Sequence, residues 1–348
     1  MSQIKKRKKF NSPNVVYIVL GLLLLFYSLF IVAMMLWGVN TSLKSDDDYV
    51  RGILVGKVRK GNVLGLPTLT EGLFNSREEF FHLKNYKTVI ENLRYKSSVG
   101  SGYYRGSKYV SLQAHTRFGA LLGKTGEELN FVYLPDMLLN TLIYVCGCAV
   151  AATVVPALTA FLTAKYDFKL SGIIFILYTM MMCMPIVGNQ PAQLAFFKAT
   201  GLYDTMFGII LQWASGAGMY YFVFYAYFKG MPETYREAAS IDGASELTVM
   251  IKIYFPLAIK MMATVFLIQF VSLWNDYQYP LLFLPTKPTL ATAVYIITGS
   301  RSDAAPAELQ YTPAKIAASM LLALPILVLF IAFKNKLMGD ITLGGIKE

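Results

Sequence analysis

The chain reads as an all-α polytopic membrane protein with six transmembrane helices, both termini cytoplasmic, and an enlarged extracytoplasmic loop between helices 1 and 2. Three observations predict it. Hydrophobic residues fill 55% of the 348 positions and charged ones only 15%, with mean hydropathy +0.47, whereas soluble domains carry charge at about a quarter of positions. Six apolar segments, 14–37, 137–164, 170–187, 206–228, 261–284 and 314–333, reach the roughly 17–25 residues that cross a bilayer. Continuous runs of that length satisfy their backbone groups in lipid as helices. Lys and Arg then set the orientation. Lys5-Lys6-Arg7-Lys8-Lys9, Lys165, Lys169, Lys229, Arg236, Lys252, Lys260, Lys334, Lys336 and Lys347 fall on one side, against Lys198, Lys287 and Arg301 in the short loops of the other.

Residues 1–37 are a basic tail and the first helix. The apolar stretch exceeds the roughly 7–15 residues of a secretory signal core, and no small-x-small cleavage site follows Trp37, so it is expected to stay as an anchor. The 38–136 loop is rich in both charges and aromatic residues, a composition that predicts a small folded cap rather than a disordered linker. Gly119-Ala-Leu-Leu-Gly123-Lys124-Thr125 imitates a phosphate-binding loop but has Phe118 where the motif needs glycine, so no nucleotide site is expected. A net charge of +11 without a recognisable nucleic-acid module gives no reason to expect a nucleic-acid partner. Cys146, Cys148 and Cys183 all fall in expected spans and are read as packing residues rather than disulfides or metal ligands.

Within the 137–333 core, Pro156, Pro185 and Pro325 are expected to kink their helices. The fourth span carries Gln212, Trp213, Tyr220 and Tyr221, and the fifth carries Gln269, Trp274, Asn275, Asp276 and Tyr277. Aromatic rings stack on sugar faces and phenols hydrogen-bond hydroxyls, but tyrosine and tryptophan also collect at membrane interfaces for packing. Both readings stand for these residues. Asp276 is expected to face protein or water, since lipid exposure of a carboxylate costs roughly 3 kcal/mol.

Between the fourth and fifth spans lies a polar, helix-prone island, 229–260. Pro232 is placed to open a helix, Glu233 and Glu237 suit its positive end, and Gly243 permits a turn that a Cβ would obstruct. A second helix is expected from Ala244 to Tyr254, before Pro256 interrupts its hydrogen bonding. Glu237-Ala238-Ala239, Gly243, Ile253 and Pro256 at this spacing resemble the EAA loop of binding-protein-dependent ABC import permeases, and Asp242-Gly243-Ala244-Ser245 resembles its carbohydrate branch. Asn85-Tyr86, Val89, Ile90, Asn140-Thr141 and Trp274-Asn275-Asp276 are similar to the same family, and Leu93 to Phe131 looks like an insertion. The glycine-rich tail, within 334–348, resembles that of the maltose-type permease. Lys260, where a second proline is usual, and Met250, where phenylalanine is typical, depart from the pattern.

The resemblance implies a non-enzymatic permease subunit in a bacterial cytoplasmic membrane. Its implied partners are membrane lipid, a second permease subunit, a pair of cytoplasmic ABC ATPase subunits carrying ATP and magnesium, and an extracytoplasmic sugar-binding protein that delivers a carbohydrate. It also implies a lever in which Ala238, Ala239 and Ala244 seat against the ATPase while Glu237 pairs with a base there. Two other classes compete: an importer of a non-sugar solute, and a polytopic membrane enzyme. The latter lacks convergent catalytic groups, since no span contains histidine and Asp276 has no second carboxylate in its own helix.

Overall fold

The computed structural model describes residues 12–50, 82–96, 102–105, 107–119, 121–183, 188–215, 218–299 and 306–339. It forms two compact units, Met1–Glu91 with Gln310–Leu321, and Asn92–Leu309 with Leu322–Glu348.

In the first unit, α1 (Ser12–Ser42) presents exposed apolar side chains from Val16 to Trp37, as a helix does whose surroundings are themselves apolar. A short α2 (Asp46–Val50) follows, and α3 (Lys84–Asn92) carries Asn85, Tyr86, Val89 and Ile90. Buried Asn85 explains the register of α3. Its amide donates to the carbonyls of Ser42 (2.8 Å) and Lys44 (2.7 Å), and Tyr86 shares a 2.7 Å hydroxyl contact with Ser42.

The second unit begins with four short strands. β1 (Arg94–Lys96) pairs antiparallel with β4 (Phe131–Tyr133), placing Tyr95 opposite Val132, while β2 (Gly102–Arg105) and β3 (Lys108–Ser111) pair as a hairpin. Within the inserted segment the described residues thus form two antiparallel pairs. The stretch resembling a phosphate loop leads into a five-residue 3-10 turn, Gly126–Asn130, not the α-helix N-terminus that a phosphate site uses.

The axis of this unit is α4 (Leu134–Lys165), which opens with Pro135 and closes its first turn through Asp136 on the Tyr133 N–H. Then follow α5 (Ser171–Cys183), α6 (Gln190–Thr200), α7 (Met206–Trp213), α8 (Met219–Lys229), α9 (Thr234–Ile241), α10 (Glu246–Val249), a π turn (Met250–Tyr254), α11 (Phe255–Trp274), α12 (Gln278–Phe283) and α13 (Leu290–Thr298). The last helix is α14 (Thr312–Gly339). One core gathers Phe161, Tyr221, Phe224, Phe228 and Tyr254, and another gathers Tyr144, Cys148, Phe197, Phe270, Trp274 and Phe283. α4 contributes to both, so the two ends of the unit share one rod.

Among the described residues, four helical stretches are long and apolar enough to cross a membrane: Val16–Ser42, Leu134–Lys165, Glu246–Trp274 and Thr312–Leu329, with Ser171–Cys183 a shorter apolar helix. The expected fourth span is two helices. α7 stops at Trp213, α8 starts after Gly218 at φ 145, and that glycine supplies a backbone angle an ordinary side chain resists. The expected fifth span also breaks, because Asp276 accepts from the N–H groups of Gln278 (3.0 Å) and Tyr279 (3.4 Å) and starts α12 afresh.

Pro256 does not end the second hinge helix. The Phe255 N–H reaches back five residues to the Met250 carbonyl, and this wider turn absorbs the donor that proline lacks before α11 continues. Pro156 and Pro325 lie inside α4 and α14, whereas Pro185 and the tail from Asp340 lie outside the described residues. The cysteines are unpaired, with Cys148 buried and Cys146 and Cys183 exposed, so packing accounts only for Cys148.

Candidate functional site

The hinge follows from its sequence. Thr234–Ile241 forms α9, Gly243 sits at φ +76, and Ser245 caps α10 by accepting from the Thr248 N–H at 3.3 Å. A Cβ at Gly243 would meet no atom within 4 Å, so the glycine is required by the left-handed backbone and not by crowding, a correction to the expected obstruction.

The pair is bolted to α4. Lys165 has a side chain only 1% exposed, yet its ammonium sits 2.8 Å from Glu233 Oε1, donates to the Met231 carbonyl at 2.6 Å, and lies 5.2 Å over the Tyr254 ring. A buried ammonium is tolerated only when its hydrogens are answered this way. Next to it, the Tyr166 hydroxyl donates to Glu246 Oε2 at 2.7 Å, and Arg236 approaches Glu233 at 3.3 Å and Glu246 at 3.9 Å. Burial first, then the Glu246 carboxylate, pushes the Tyr166 phenol up, so it remains a donor at neutral pH. The end of α4 thus holds residues before α9, within α9 and at the start of α10.

The expected small-residue face is only partly right. Ala239 is buried and, with Ala244 and Ile253 against it, belongs to the chain's own core, while Ala238, Glu237, Asp242 and Pro256 face outward. The most exposed apolar side chains of the hinge are instead Ile241, 86% exposed, and Leu247, 62% exposed. Sequence reading passed over both because an isolated apolar residue in a polar helix resembles core. Lys165 was counted only as a loop charge, since its partners lie 66 and 68 positions away.

Elsewhere in the same unit, polar side chains on the broken helices pair with polar neighbours. The Tyr144 hydroxyl of α4 donates to Asp276 Oδ2 at 2.5 Å, and the Gln212 amide donates to Gln193 Oε1 at 2.8 Å. Gln212 Oε1 and Trp213 Nε1 are buried without a hydrogen-bond partner. The Trp213 N–H lies beside the Tyr144 hydroxyl but outside hydrogen-bond geometry, with the Tyr279 ring edge-on to its indole at 5.5 Å. Buried polar atoms left unpaired within a chain are rare, and each calls for a physical explanation.

Of the other expected path residues, Tyr221 bonds Thr163 at 2.8 Å inside the core, Trp274 donates to the Leu322 carbonyl at 3.0 Å, and Asn275 closes its helix on Val271. All three do structural work. Tyr277 stacks on Tyr295 at 4.0 Å, while Tyr220 and Gln269 are half-buried. Trp213 and Asp276 come together through Tyr144 and Tyr279, while Gln212 pairs separately with Gln193. Tyr144 and Gln193 had no sequence signal beyond being polar in an apolar stretch.

The part of the chain that carries the hinge also matches known proteins. Residues 152–337 match the family described as the binding-protein-dependent transport system inner membrane component. The chain belongs to this family. Among individual members it is similar to the arabinooligosaccharide transport system permease of Bacillus subtilis, 29% identical over 188 residues, 53% of this chain and 63% of that one. The match thus takes in less than two thirds of that relative's length. It is also similar to the melibiose/raffinose/stachyose import permease of the same organism, 27% identical over 218 residues, 62% of this chain and 76% of that one. Its fold is shared with a chain of a bacterial ABC transporter involved in importing the acidic polysaccharide alginate. There the TM-score is 0.60 at 16% identity, covering 95% of this chain and 99% of that one. Both site regions lie inside the family match, except Tyr144.

Proposed function

We propose that this chain is the permease subunit of an ATP-driven, solute-binding-protein-dependent carbohydrate importer of a bacterial cytoplasmic membrane, with six transmembrane passages and the α9–α10 hinge on the cytoplasmic side. Two cytoplasmic ATPase subunits, a second permease subunit and an extracytoplasmic sugar-binding protein complete it. The names of the two Bacillus subtilis relatives, both for oligosaccharide transport, support a sugar cargo.

The observation that carries this reading is the hinge's construction. Its outer face offers Ile241, Leu247 and the carboxylate of Glu237, while its inner face is fixed to α4 through Lys165. A companion gripping the outer face can move the hinge only by moving α4 with it. α4 also carries Tyr144 at the polar cluster, so rotation at the hinge reaches the substrate path through one rod. ATP chemistry belongs to the companion, and this chain supplies half the path.

Reconstitution with its partners in lipid vesicles tests the assignment. Gly243→Val should leave the spans folded and abolish both sugar uptake and sugar-stimulated ATP hydrolysis. Retention of both activities overturns the lever.

A further inference from the structure

The inserted segment is not only a cap. Between its Ser111–Arg117 stretch, the start of α4 and the loops at Asp204 and Lys287 lies a cavity of about 280 Å³, lined by polar side chains. That is near the small end of ligand sites, about 300–1,000 Å³, a size suited to one sugar ring rather than a peptide helix.

Its carboxylates are already spent. Asp136 accepts from the Thr116 hydroxyl (2.6 Å) and the Arg117 N–H (2.8 Å), while Asp204 accepts from the Thr286 N–H (3.1 Å) and hydroxyl (2.6 Å) and from Lys287 (3.3 Å). The side chains of Gln113, His115 and Arg117 are exposed and make no hydrogen bond or ion pair among the described residues. The lining therefore offers donors and few free acceptors. Across 92–136, Lys and Arg outnumber Asp and Glu by six to three, which adds a long-range pull on anions. A guanidinium fork matches a carboxylate in two parallel hydrogen bonds.

We propose that this cavity binds a carboxylate-bearing sugar unit, with Arg117 on the carboxylate and Gln113 and His115 on ring oxygens. The inference rests on the carbohydrate reading above and narrows it to acidic glycans received at the inserted segment.

The test is calorimetric titration of the purified full-length chain in lipid nanodiscs with galacturonate trimer, galactose trimer and a glutamate-rich peptide. The acidic trimer should bind, the neutral one roughly tenfold or more weakly, and Arg117→Gln should weaken the acidic trimer by roughly tenfold. Asp136 is held by the Arg117 backbone and not its side chain, so this variant keeps the local fold, and an unchanged melting curve confirms it. His115→Ala should weaken binding less. Equal affinity for the two trimers, indifference to Arg117→Gln, absence of binding, or tighter Arg117-dependent binding of the peptide each overturns the proposal. Sugar uptake by the same variants in vesicles separates the two readings. Arg117→Gln that fails to alter binding while Gly243→Val still abolishes uptake sinks the cavity and leaves the importer standing.

Discussion

In the proposed lever, Lys165 is the residue on which transmission of motion turns. Its ammonium has no water to fall back on, so removing Glu233 leaves a buried charge with only the Met231 carbonyl and the Tyr254 ring to answer it. Glu233→Ala should lower stability by about 2–3 kcal/mol, below the usual cost of breaking a buried pair because Glu233 itself is half exposed. Lys165→Met removes the charge along with its partner's need and fills similar volume. It should fold with a melting temperature near that of the parent yet lose uptake, while Lys165→Arg keeps part of it. Equal losses of stability in the Glu233 and Lys165 variants would show a purely structural bridge. At the polar cluster, Trp213→Phe keeps the edge contact with Tyr279 and deletes only the orphan N–H. Uptake kinetics should show KM raised by roughly five- to tenfold with little change in maximal rate.

At the level of elements, the breaks matter more than the spans. The apolar runs that predict α1, α4, α11 and α14 were legible because length and hydropathy need only local sequence. The interruptions at Gly218 and Asp276 were not, since an apolar window looks the same whether or not the backbone turns inside it. Asn85 and Asn140-Thr141 stood out through the family resemblance, and each proves to be a tie. Asn140 reaches the Pro288 carbonyl at 3.3 Å, and Thr141 accepts from the Leu290 N–H at 2.9 Å. The spacing of the hinge motif located its turn correctly, but spacing cannot say which alanine faces in, and Ala239 faces the chain's own core. Pro256→Ala would restore a donor for the Lys252 carbonyl. Hydrogen exchange should then show stronger protection across Met250–Tyr254 as the π turn relaxes to α, with unchanged protection there as the contrary result.

Across the whole molecule, one continuous helix joins the hinge to the polar cluster, since α4 ends at Lys165 and carries Tyr144 in its first third. The family makes the chain an inner-membrane transport component, and the proposed drive from one end runs through the contacts of α4. Ile241 is the outermost apolar side chain of the hinge, and a photoreactive amino acid placed there reports what touches it. Irradiation in native membranes, followed by mass spectrometry of the adduct, should recover a nucleotide-hydrolysing cytoplasmic subunit, with a yield that changes when ATP is added. Recovery of an extracytoplasmic protein, or of lipid alone, would contradict the account.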